Sequence, residues 1–506
     1  MKSLATKSVL VIGLGETGLS MVRWLSAQGA RLRVADSRTT PPGLDEVVKL
    51  VAAEQIFCGA FNDALFADVD LIAISPGVPL SDPHVAAAQA RGIPVVGDIE
   101  LFAQQIQDSG FRIQDSEGVA KIIAITGSNG KTTVTSLVEH LCRAAGKDAV
   151  AAGNISPAVL DVVLQRGDKQ PEVWVLELSS FQLETTNSLC ADAATVLNVS
   201  EDHLDRYAGM DEYAAAKERV LSGCRVQVLN RDDKRSIGMK KATGEIISFG
   251  LNLPACETDF GIERENNDVW LVHGSQRLIK AGELQLAGLH NVANALAALA
   301  LCHSIGLPMP VLLAALCSFK GLPHRVERVA HIHGVTFYDD SKGTNVGATV
   351  AALEGLGCRA VLIAGGVGKE QDFSPLKLVV KEHARAVVLI GRDASLIATA
   401  LAGCDVPVQL ALDMNDAVRQ SAKLALQGDA VLLSPACASF DMYRNYVHRA
   451  DAFVEEVRKL INEHGKAVDD DVSDARFPHL NPLPQAREDA NESLRELQMT
   501  RESWPL

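Results

Sequence analysis

The stretch that decides the fold is IIAITGSNGKTT, at residues 122–133. It consists of a short apolar run, a turn with two glycines, and the Gly-Lys-Thr sequence with which phosphate-binding loops end. In such loops backbone N–H groups surround phosphate oxygens, the lysine reaches the terminal phosphates, and the following hydroxyl binds Mg²⁺. Ile125 stands where the usual pattern has its first glycine. With a strand before it and a helix after it, the stretch predicts a nucleoside-triphosphate site in an α/β domain.

Short apolar runs alternate with amphipathic, helix-length segments on both sides of this stretch. This alternation predicts parallel sheets that are covered by helices on both faces. Helices are expected at 17–27 and 132–145. Buried strands are expected at 8–12, 31–35, 71–75, 122–126, 173–178, 194–198, 225–230, 360–365, 386–391 and 430–434.

The length of 506 residues fits about three domains of roughly 150 residues each. A polar segment at 107–118 and a Gly- and Pro-containing segment at 319–325 mark the boundaries. The predicted domains are therefore 1–115, 116–322 and 323–463, and residues 246–285 of the second predict a small region of short strands. Residues 464–506 contain three consecutive aspartates, four prolines and few aliphatic side chains, which predicts a disordered tail.

Charge and hydropathy exclude several classes of partner. The chain has 48 Lys and Arg against 63 Asp and Glu, a formal net charge of −15, so neither nucleic acid nor an anionic membrane surface is expected to bind. Apolar runs are too short for a transmembrane helix, and the N-terminus leads into a strand and turn. We therefore expect a cytoplasmic protein without membrane insertion. Ten scattered cysteines without a CxxC pair predict buried free thiols.

A second glycine motif, GLGETG at residues 13–18, follows the first predicted strand, and Asp36 ends the next one. The pattern is formally a dinucleotide-binding fingerprint. A glycine turn before a helix N-terminus favours any diphosphate, however, so NAD(P), another nucleotide and a purely structural turn remain open on this motif alone. Because NAD dehydrogenases need no triphosphate loop, both motifs together favour an enzyme that uses a nucleoside triphosphate to modify a second, nucleotide-like ligand.

Further candidates lie near the triphosphate loop. Glu177 ends a predicted strand, where a carboxylate can hold Mg²⁺. His203 and Lys217 follow, but their spacing alone does not distinguish them from a structural histidine and a surface lysine. Residues 230–233 are similar to the guanine-binding motif of GTPases, yet an arginine replaces the lysine, which favours an ordinary turn.

Six segments together resemble the Mur ligases, the ATP-dependent amide-bond-forming enzymes of peptidoglycan synthesis. They occur in the family's order at 126–133, 177–183, 198–205, 289–291, 324–327 and 340–345. Segments 339–345, 365–373 and 434–441 are similar to those of members that add D-glutamate to UDP-N-acetylmuramoyl-L-alanine. The resemblance implies an α/β protein of three domains: a Rossmann-like UDP-binding domain, a central P-loop ATPase domain with a parallel sheet, and a C-terminal Rossmann-like domain. It also favours a monomer.

The reaction implied by the resemblance proceeds through an acyl phosphate. ATP phosphorylates the carboxylate of UDP-N-acetylmuramoyl-L-alanine, the amine of D-glutamate attacks, and ADP and phosphate are released. Two Mg²⁺ ions are implied, one at Thr132 and Glu177, the other at His203 and a carbamylated Lys217. The implied catalytic residues are Lys131, Glu177, His203, Lys217 and Asn154. The implied ATP contacts are Gly127, Ser128, Asn129, Gly130, Lys131, Thr132, Thr133, Asn291, Arg325 and Asp340.

The resemblance also assigns the two other substrates. Tyr446 stands where the family has a phenylalanine, so the ring is kept and a hydroxyl is added. The implied glutamate pocket is formed by Lys342, Thr344, Lys369, Ser439 and Tyr446. The implied UDP-substrate contacts are Gly15, Glu16, Thr17, Asp36, Ser37, Ser75, Pro76 and Gly77.

Several alternatives remain at this point. A relative that adds L-glutamate or another amino acid would use nearly the same pocket. A folylpolyglutamate synthase shares the ATPase motifs but is not expected to carry the N-terminal domain. An NAD-dependent dehydrogenase predicts nicotinamide binding without ATP turnover, and the joint presence of Glu177, His203 and Lys217 argues against a non-catalytic nucleotide-binding regulator.

Overall fold

The computed structural model describes residues 4–109, 120–266, 268–286 and 288–463. The predicted tail at 464–506 and most of the polar segment at 107–118 lie outside the described residues. Three sheets follow one another along the chain, and each carries an apolar cluster on both of its faces. In the third sheet, for example, Val361 and Ile363 belong to one cluster and Leu362 to the other, as expected for a strand covered on both sides.

The first sheet is formed by β1 Ser8–Ile12, β2 Arg31–Asp36, β3 Ile56–Cys58, β4 Leu71–Ile74 and β5 Val95–Val96. Its helices are α1 Glu16–Ala27, α2 Leu44–Val47, α3 Pro83–Ala90 and α4 Asp98–Ser109. All strands are parallel, in the order β3-β2-β1-β4-β5. The strand order changes direction at β1, so the loops after β1, β2 and β4 open side by side at the carboxyl edge.

The second sheet has nine strands: β6 Lys121–Thr126, β7 Ala149–Gly153, β8 Val173–Glu177, β9 Ala193–Val196, β10 Val226–Asn230, β11 Glu245–Phe249, β12 Phe260–Glu265, β13 Asp268–His273 and β14 Gln276–Lys280. Its helices are α5 Lys131–Ala144, α6 Val159–Arg166, α7 Ser180–Glu184, α8 Met210–Glu218, α9 Lys234–Gly238, α10 Leu289–Ser304 and α11 Met309–Ser318. The order is β14-β13-β12-β11-β10-β9-β6-β8-β7. β13 pairs antiparallel with both β12 and β14, and β12 pairs with β11, so the predicted small β-region extends the main sheet.

The third sheet consists of β15 Glu327–Ile332, β16 Val335–Asp339, β17 Ala360–Gly365, β18 Ala384–Ile390, β19 Val408–Leu410 and β20 Ala430–Leu433. Its helices are α12 Val346–Gly355, α13 Leu376–His383, α14 Ala394–Ala400, α15 Met414–Leu424 and α16 Tyr446–Glu463. The order is β15-β16-β20-β17-β18-β19, parallel except for the β15–β16 hairpin. The carboxyl ends of β16, β20 and β17 are therefore neighbours.

The predicted α/β class with parallel-rich sheets is confirmed, and every strand expected from an apolar run is present within a few residues. Several strands were not predicted. The edge strands β3, β5 and β19 have only two or three residues, the apolar run of β7 is mostly alanine, and the hairpin β15–β16 mixes polar and apolar residues. The thiols are free, as predicted, but Cys58, Cys190 and Cys256 are exposed, contrary to the expectation of burial. Within the described parts of the chain, no helix is long and apolar enough to cross a membrane.

Candidate active site

A cavity of about 430 Å³ lies at the carboxyl edge of the first sheet, where that sheet faces the second domain. The second domain contributes residues 153–156, Ala158 and Gln182 to its wall. The cavity is lined by all eight residues predicted to hold the UDP substrate: Gly15, Glu16, Thr17, Asp36, Ser37, Ser75, Pro76 and Gly77. The eight residues that were predicted to contact one ligand therefore line one cavity.

The three glycines of the 13–18 motif have different structural roles. Gly13 has φ +89°, and a Cβ there would lie 2.8 Å from the Cβ of Ser75. A Cβ at Gly18 would lie 1.7 Å from the carbonyl oxygen of Gly13, so no side chain fits at that position either. At Gly15 a Cβ would meet nothing within 4 Å. The open space at Gly15 thus lets a ligand approach the backbone closely.

Asp36 lines this cavity with its carboxylate already engaged by the protein. Its Oδ2 accepts from the Leu14 N–H at 2.7 Å, and its Oδ1 accepts from the backbone N–H and Nε of Arg38 at 2.9 and 2.8 Å. Burial opposes the charged form, but these hydrogen bonds outweigh it and lower the pKa of Asp36. The side chain therefore fixes the turn and orients Arg38, a cavity-lining cation that the sequence analysis missed.

The triphosphate loop connects β6 to α5. Gly127 and Gly130 have φ of +156° and +83°, a conformation that a β-carbon disfavours. Lys131 begins α5, and its Nζ donates to the carbonyl oxygens of Gly127 at 2.7 Å and Ser128 at 3.0 Å. Burial lowers the pKa of Lys131, while the charges of Glu177 and Asp202 oppose this shift. The ammonium group of Lys131 thus lies against the triphosphate loop, where it was predicted to contact the phosphates.

Glu177 ends β8, beside β6 and β7. Its Oε1 accepts from Nδ2 of Asn154 at 2.8 Å, and its backbone oxygen accepts from the Asn154 N–H at 2.7 Å. The side chain is 2% exposed, and no hydrogen-bond donor in the described residues reaches its Oε2. A buried carboxylate oxygen without a donor, next to a triphosphate loop, has the chemistry of a hard-cation ligand.

Lys217 is buried in α8, on the inner side of the same loop. Its Nζ donates to the Gly127 carbonyl at 3.0 Å and lies 4.4 Å from the ring centroid of Tyr213. Burial and the nearby charge of Lys131 lower the pKa of Lys217 well below its ordinary value. This environment favours a neutral amine, the form that reacts with carbon dioxide.

His203 lies in the loop after β9, with Nε2 3.5 Å from Oδ2 of Asp202. Its ring contacts that of Phe181 edge to face at 4.9 Å. Burial lowers the pKa of His203, although the charge of Asp202 opposes that shift. This environment therefore favours the neutral imidazole at the edge of the triphosphate site.

A second cavity, of about 300 Å³, lies between the second and third domains. The cavity is lined by six of the ten predicted ATP contacts: Asn129, Gly130, Thr133, Asn291, Arg325 and Asp340. The other four, Gly127, Ser128, Lys131 and Thr132, belong to the adjoining loop and the start of α5. The structure therefore brings together the nucleotide contacts that the resemblance assigned to two domains.

Asp340 should impose a pH dependence on folding stability. Burial raises the pKa of its carboxyl to about 7, although Ser434 donates a hydrogen bond to it and Arg325 lies nearby. The folded protein keeps this proton to a pH near 7, whereas the ordinary pKa is 3.8. Between these values the folded state binds more protons, so this group lowers stability as the pH rises, by up to about 1.4 kcal/mol per pH unit.

Asp340→Asn is expected to remove this slope. In urea unfolding between pH about 4 and about 7, the free energy of unfolding of the variant should gain on that of the wild type as the pH rises. Asp372→Asn is the control, because Ser374 lowers the pKa of the exposed Asp372 and places its titration below this window. A difference between Asp340→Asn and wild type that stays constant with pH would contradict the prediction.

Four of the five predicted glutamate residues come from loops at the ends of β16, β17 and β20, and the fifth, Tyr446, begins α16. Gly343 accepts a hydrogen bond from the Ala436 N–H at 2.9 Å, and the N–H groups of Val367 and Ala438 donate to each other's carbonyls at 2.8 and 2.9 Å. These backbone contacts hold the three loops together. Of the predicted residues on them, Lys342, Thr344 and Lys369 are partly buried, and Ser439 is buried.

Two lysines of this region face the second domain. Nζ of Lys342 lies 3.9 Å from the ring centroid of Tyr446, and burial and the charge of Arg325 lower the pKa of Lys342 to about 8. Nζ of Lys369 donates to Oδ1 of Asp202 at 3.1 Å. With Lys131, these cations form a positively charged surface around Glu177 and Asp202, suited to a polyphosphate.

Asp202 and Asn345 are contacts that the sequence analysis did not single out. Oδ1 of Asp202 accepts from Lys369, and its Oδ2 accepts from Nδ2 of Asn345 at 3.4 Å. The same Nδ2 donates to Oδ1 of Asn129 at 3.0 Å. These bonds join the third domain to the triphosphate loop. Both residues lie inside segments that carried the resemblance, but only the folded geometry shows that they meet.

Three domain sequence models match the chain in order. They describe a Mur ligase MurD-like N-terminal domain at residues 7–97, a Mur ligase middle domain at 125–302 and a Mur ligase glutamate ligase domain at 324–437. The chain belongs to the Mur ligase family. Each match falls inside one of the predicted domains, whose exact borders stay a prediction.

Curated relatives cover nearly the whole of this Mur ligase. A UDP-N-acetylmuramoylalanine–D-glutamate ligase of Nitrosospira multiformis is 57% identical over 90% of this chain and 96% of its own length. The protein of the same name from Nitrosomonas europaea is 55% identical with the same coverage.

Solved structures of other members share the fold of this Mur ligase. A pseudomurein peptide ligase type C from Methanothermus fervidus has a TM-score of 0.56 at 19% identity and covers 90% of this chain and 100% of its own. The UDP-N-acetylmuramate–alanine ligase of Thermotoga maritima has a TM-score of 0.56 at 17% identity, with the same coverage. At these identities the likeness concerns the fold alone.

Proposed function

We propose that this Mur ligase joins D-glutamate to UDP-N-acetylmuramoyl-L-alanine, with conversion of ATP to ADP and phosphate, in a cytoplasmic step of peptidoglycan synthesis. The observation that carries the proposal is the position of Asn154, which lines the cavity of the first domain and donates to Glu177 at the triphosphate loop. A UDP-sugar held in that cavity thus directs its acyl end toward the loop. The relatives with this name that are 57% and 55% identical support the choice of substrates.

The protein's part in the first step is to position two anions. The loop N–H groups and Lys131 hold the phosphates of ATP, and Asn154 orients Glu177 beside them. Because the substrate carboxylate and the terminal phosphate repel each other, the cations Lys131, Arg325 and Lys342 lower the barrier by offsetting that charge. The carboxylate oxygen attacks the terminal phosphorus, ADP leaves, and an acyl phosphate remains.

Magnesium fits one part of this site directly. The donor-free Oε2 of Glu177 and the hydroxyl of Thr132 are oxygen ligands of the kind that Mg²⁺ takes. When bound, the ion neutralises charge on the phosphate oxygens. A second ion at His203 and Lys217 fits only if Lys217 is a carbamate, since an amine that donates to a carbonyl offers no anionic oxygen. Its depressed pKa favours that modification.

In the second step the amino group of glutamate attacks the acyl carbon and phosphate leaves. The two carboxylates of this amino acid need cationic or hydroxyl partners, and Lys342, Lys369, Thr344 and Ser439 supply both on loops held together by backbone hydrogen bonds. Lys369 must exchange Asp202 for a substrate carboxylate. Because both cavities are complete within one chain, we expect the monomer to be active.

The test is phosphate release by purified protein with ATP, Mg²⁺ and UDP-N-acetylmuramoyl-L-alanine, comparing D-glutamate, L-glutamate, meso-diaminopimelate and no amino acid, with and without bicarbonate. Release that depends on D-glutamate is expected. Release only with another amino acid would keep the chemistry and change the substrate. Folded protein that binds ATP but releases no phosphate under any of these conditions would overturn the proposal.

A further inference from the structure

Arg206 connects the cavity of the first domain to the loop that carries His203. It lies one turn after His203, where the N–H groups of Arg206 and Tyr207 donate to the His203 carbonyl at 2.9 and 3.3 Å. Its side chain crosses to the first domain. Nη1 donates to the carbonyl oxygen of Pro76 at 3.0 Å, and Nη2 donates to that of Val78 at 3.2 Å. Pro76 and Val78 both line the cavity.

The same guanidinium lies on an aromatic ring that contacts His203. Its central carbon is 4.3 Å from the ring centroid of Phe181, and that ring meets the imidazole of His203 at 4.9 Å. The carboxylate of Glu184 lies 3.7 Å from Nη2. A continuous set of contacts thus runs from the cavity wall through Arg206 and Phe181 to His203.

Residues 75–78 form a short loop after β4, and Arg206 supports one end of it. At the other end the Ser75 hydroxyl donates to the Gly13 carbonyl at 2.9 Å, which ties the loop to the glycine turn of its own domain. Arg206 adds the tie to the second domain. Arg206, whose side chain is 16% exposed, therefore links the position of this loop to that of His203.

We propose that Arg206 is a positioning residue for the ligase reaction, which fixes the cavity loop 75–78 and the imidazole of His203 relative to each other. The inference rests on the proposed function, because it concerns how the UDP-sugar is aligned with the triphosphate site. A guanidinium suits this role since its planar fork reaches two carbonyls while its face stacks on a ring. A lysine ammonium keeps the charge but offers no planar fork.

Arg219 provides a matched control within the same domain. Its Nε donates to the Leu183 carbonyl at 2.6 Å, and its Nη2 donates to the Thr186 carbonyl at 2.9 Å. It is thus an arginine that holds two backbone carbonyls of the α7 region, as Arg206 holds two of the cavity loop. The bonds of Arg219, which include a third one to Oδ1 of Asn187, stay inside the second domain and do not reach the loop 75–78. Its replacement therefore tests the support of α7 while the tie from Arg206 to that loop is kept.

The experiment compares wild type, Arg206→Lys, Arg206→Met and Arg219→Lys by thermal unfolding, by calorimetric binding of UDP-N-acetylmuramoyl-L-alanine, and by steady-state kinetics. For Arg206→Lys we expect the Kd and KM of the UDP-substrate to rise about tenfold, as the loss of charge-assisted hydrogen bonds implies. The KM of ATP should stay within about twofold of wild type, because Arg206 is not part of the ATP cavity. In Arg206→Met kcat should fall further below the wild-type value than in Arg206→Lys, and the half-saturating Mg²⁺ concentration should be higher than in the wild type.

Unchanged UDP-substrate binding in folded Arg206→Lys and Arg206→Met would overturn the inference. So would an equal rise in the KM of ATP, or the same kinetic change in Arg219→Lys, since either result would indicate a general loss of structure. The binding measurement separates this inference from the proposed function. Wild-type protein that binds the UDP-substrate but turns over no ATP would contradict the function, whereas the comparison of binding would still decide the role of Arg206.

Discussion

Replacing Lys131 with methionine is expected to lower ATP turnover by at least about 10³-fold while leaving the protein folded. Methionine keeps an unbranched side chain that is one atom shorter, but it removes the ammonium charge and the two hydrogen bonds to the carbonyls of Gly127 and Ser128. Phosphate release with all three substrates measures the effect. Thermal unfolding shows whether the variant is folded.

Lys147→Met is the matched control for this variant. Lys147 lies just after α5, which Lys131 begins, and its exposed Nζ pairs with the partly buried carboxylate of Glu172 at 2.9 Å. Such surface pairs contribute about 0–1 kcal/mol, so activity and stability should change little. Turnover by folded Lys131→Met within tenfold of the wild type would mean that the lysine does not stabilise the transferring phosphoryl group.

The second large effect is expected from Glu177→Gln. The amide keeps an oxygen for the hydrogen bond from Asn154 but places a neutral NH₂ group, which is no metal ligand, at the position of the buried, donor-free Oε2. We expect kcat to fall by about 10²- to 10³-fold, because a carboxylate ligand of Mg²⁺ is lost. Titration of the activity with Mg²⁺ should show a higher half-saturating concentration than in the wild type.

The control for Glu177→Gln lies at the other end of the same strand. Glu172 directly precedes β8 and pairs with Lys147 on the surface, so Glu172→Gln should leave the Mg²⁺ titration unchanged. If Glu177→Gln titrates with Mg²⁺ as the wild type does, Glu177 is not a metal ligand. An equal shift in both variants would indicate a general electrostatic effect.

Much of the fold can be predicted from the sequence, because parallel strands that are covered on both faces consist of continuous apolar residues. Strands such as β1 and β17 have the predicted bounds for this reason. Edge strands escape prediction, since β5 has two residues and β19 has three, of which two are exposed and one is polar. Pairing with a neighbour, rather than local sequence, defines them.

The candidate site also has a part that the sequence predicts and a part that only the fold reveals. Glycine turns and the Lys131 motif are local, so the sequence identifies them directly. His203 and Lys217 became candidates only through the family resemblance, because nothing in their spacing shows that α8 buries Lys217 against the Gly127 carbonyl. Asp202 and Lys369 are 167 residues apart in the sequence, and they form an ion pair because the second and third domains pack together.

The cluster of cations around the triphosphate loop ties the lifetime of the folded protein to its ligands. In the described residues Lys131, Arg325, Lys342 and Lys369 lie around the carboxylates of Glu177 and Asp202, and the mutual repulsion of the four cations opposes the packing of the third domain against the second. A polyanion relieves that repulsion, and any ligand that binds the native state alone adds about 2.7 kcal/mol at one hundred times its Kd. The nucleotide supply of the cell would thus also set how long this ligase survives proteolysis.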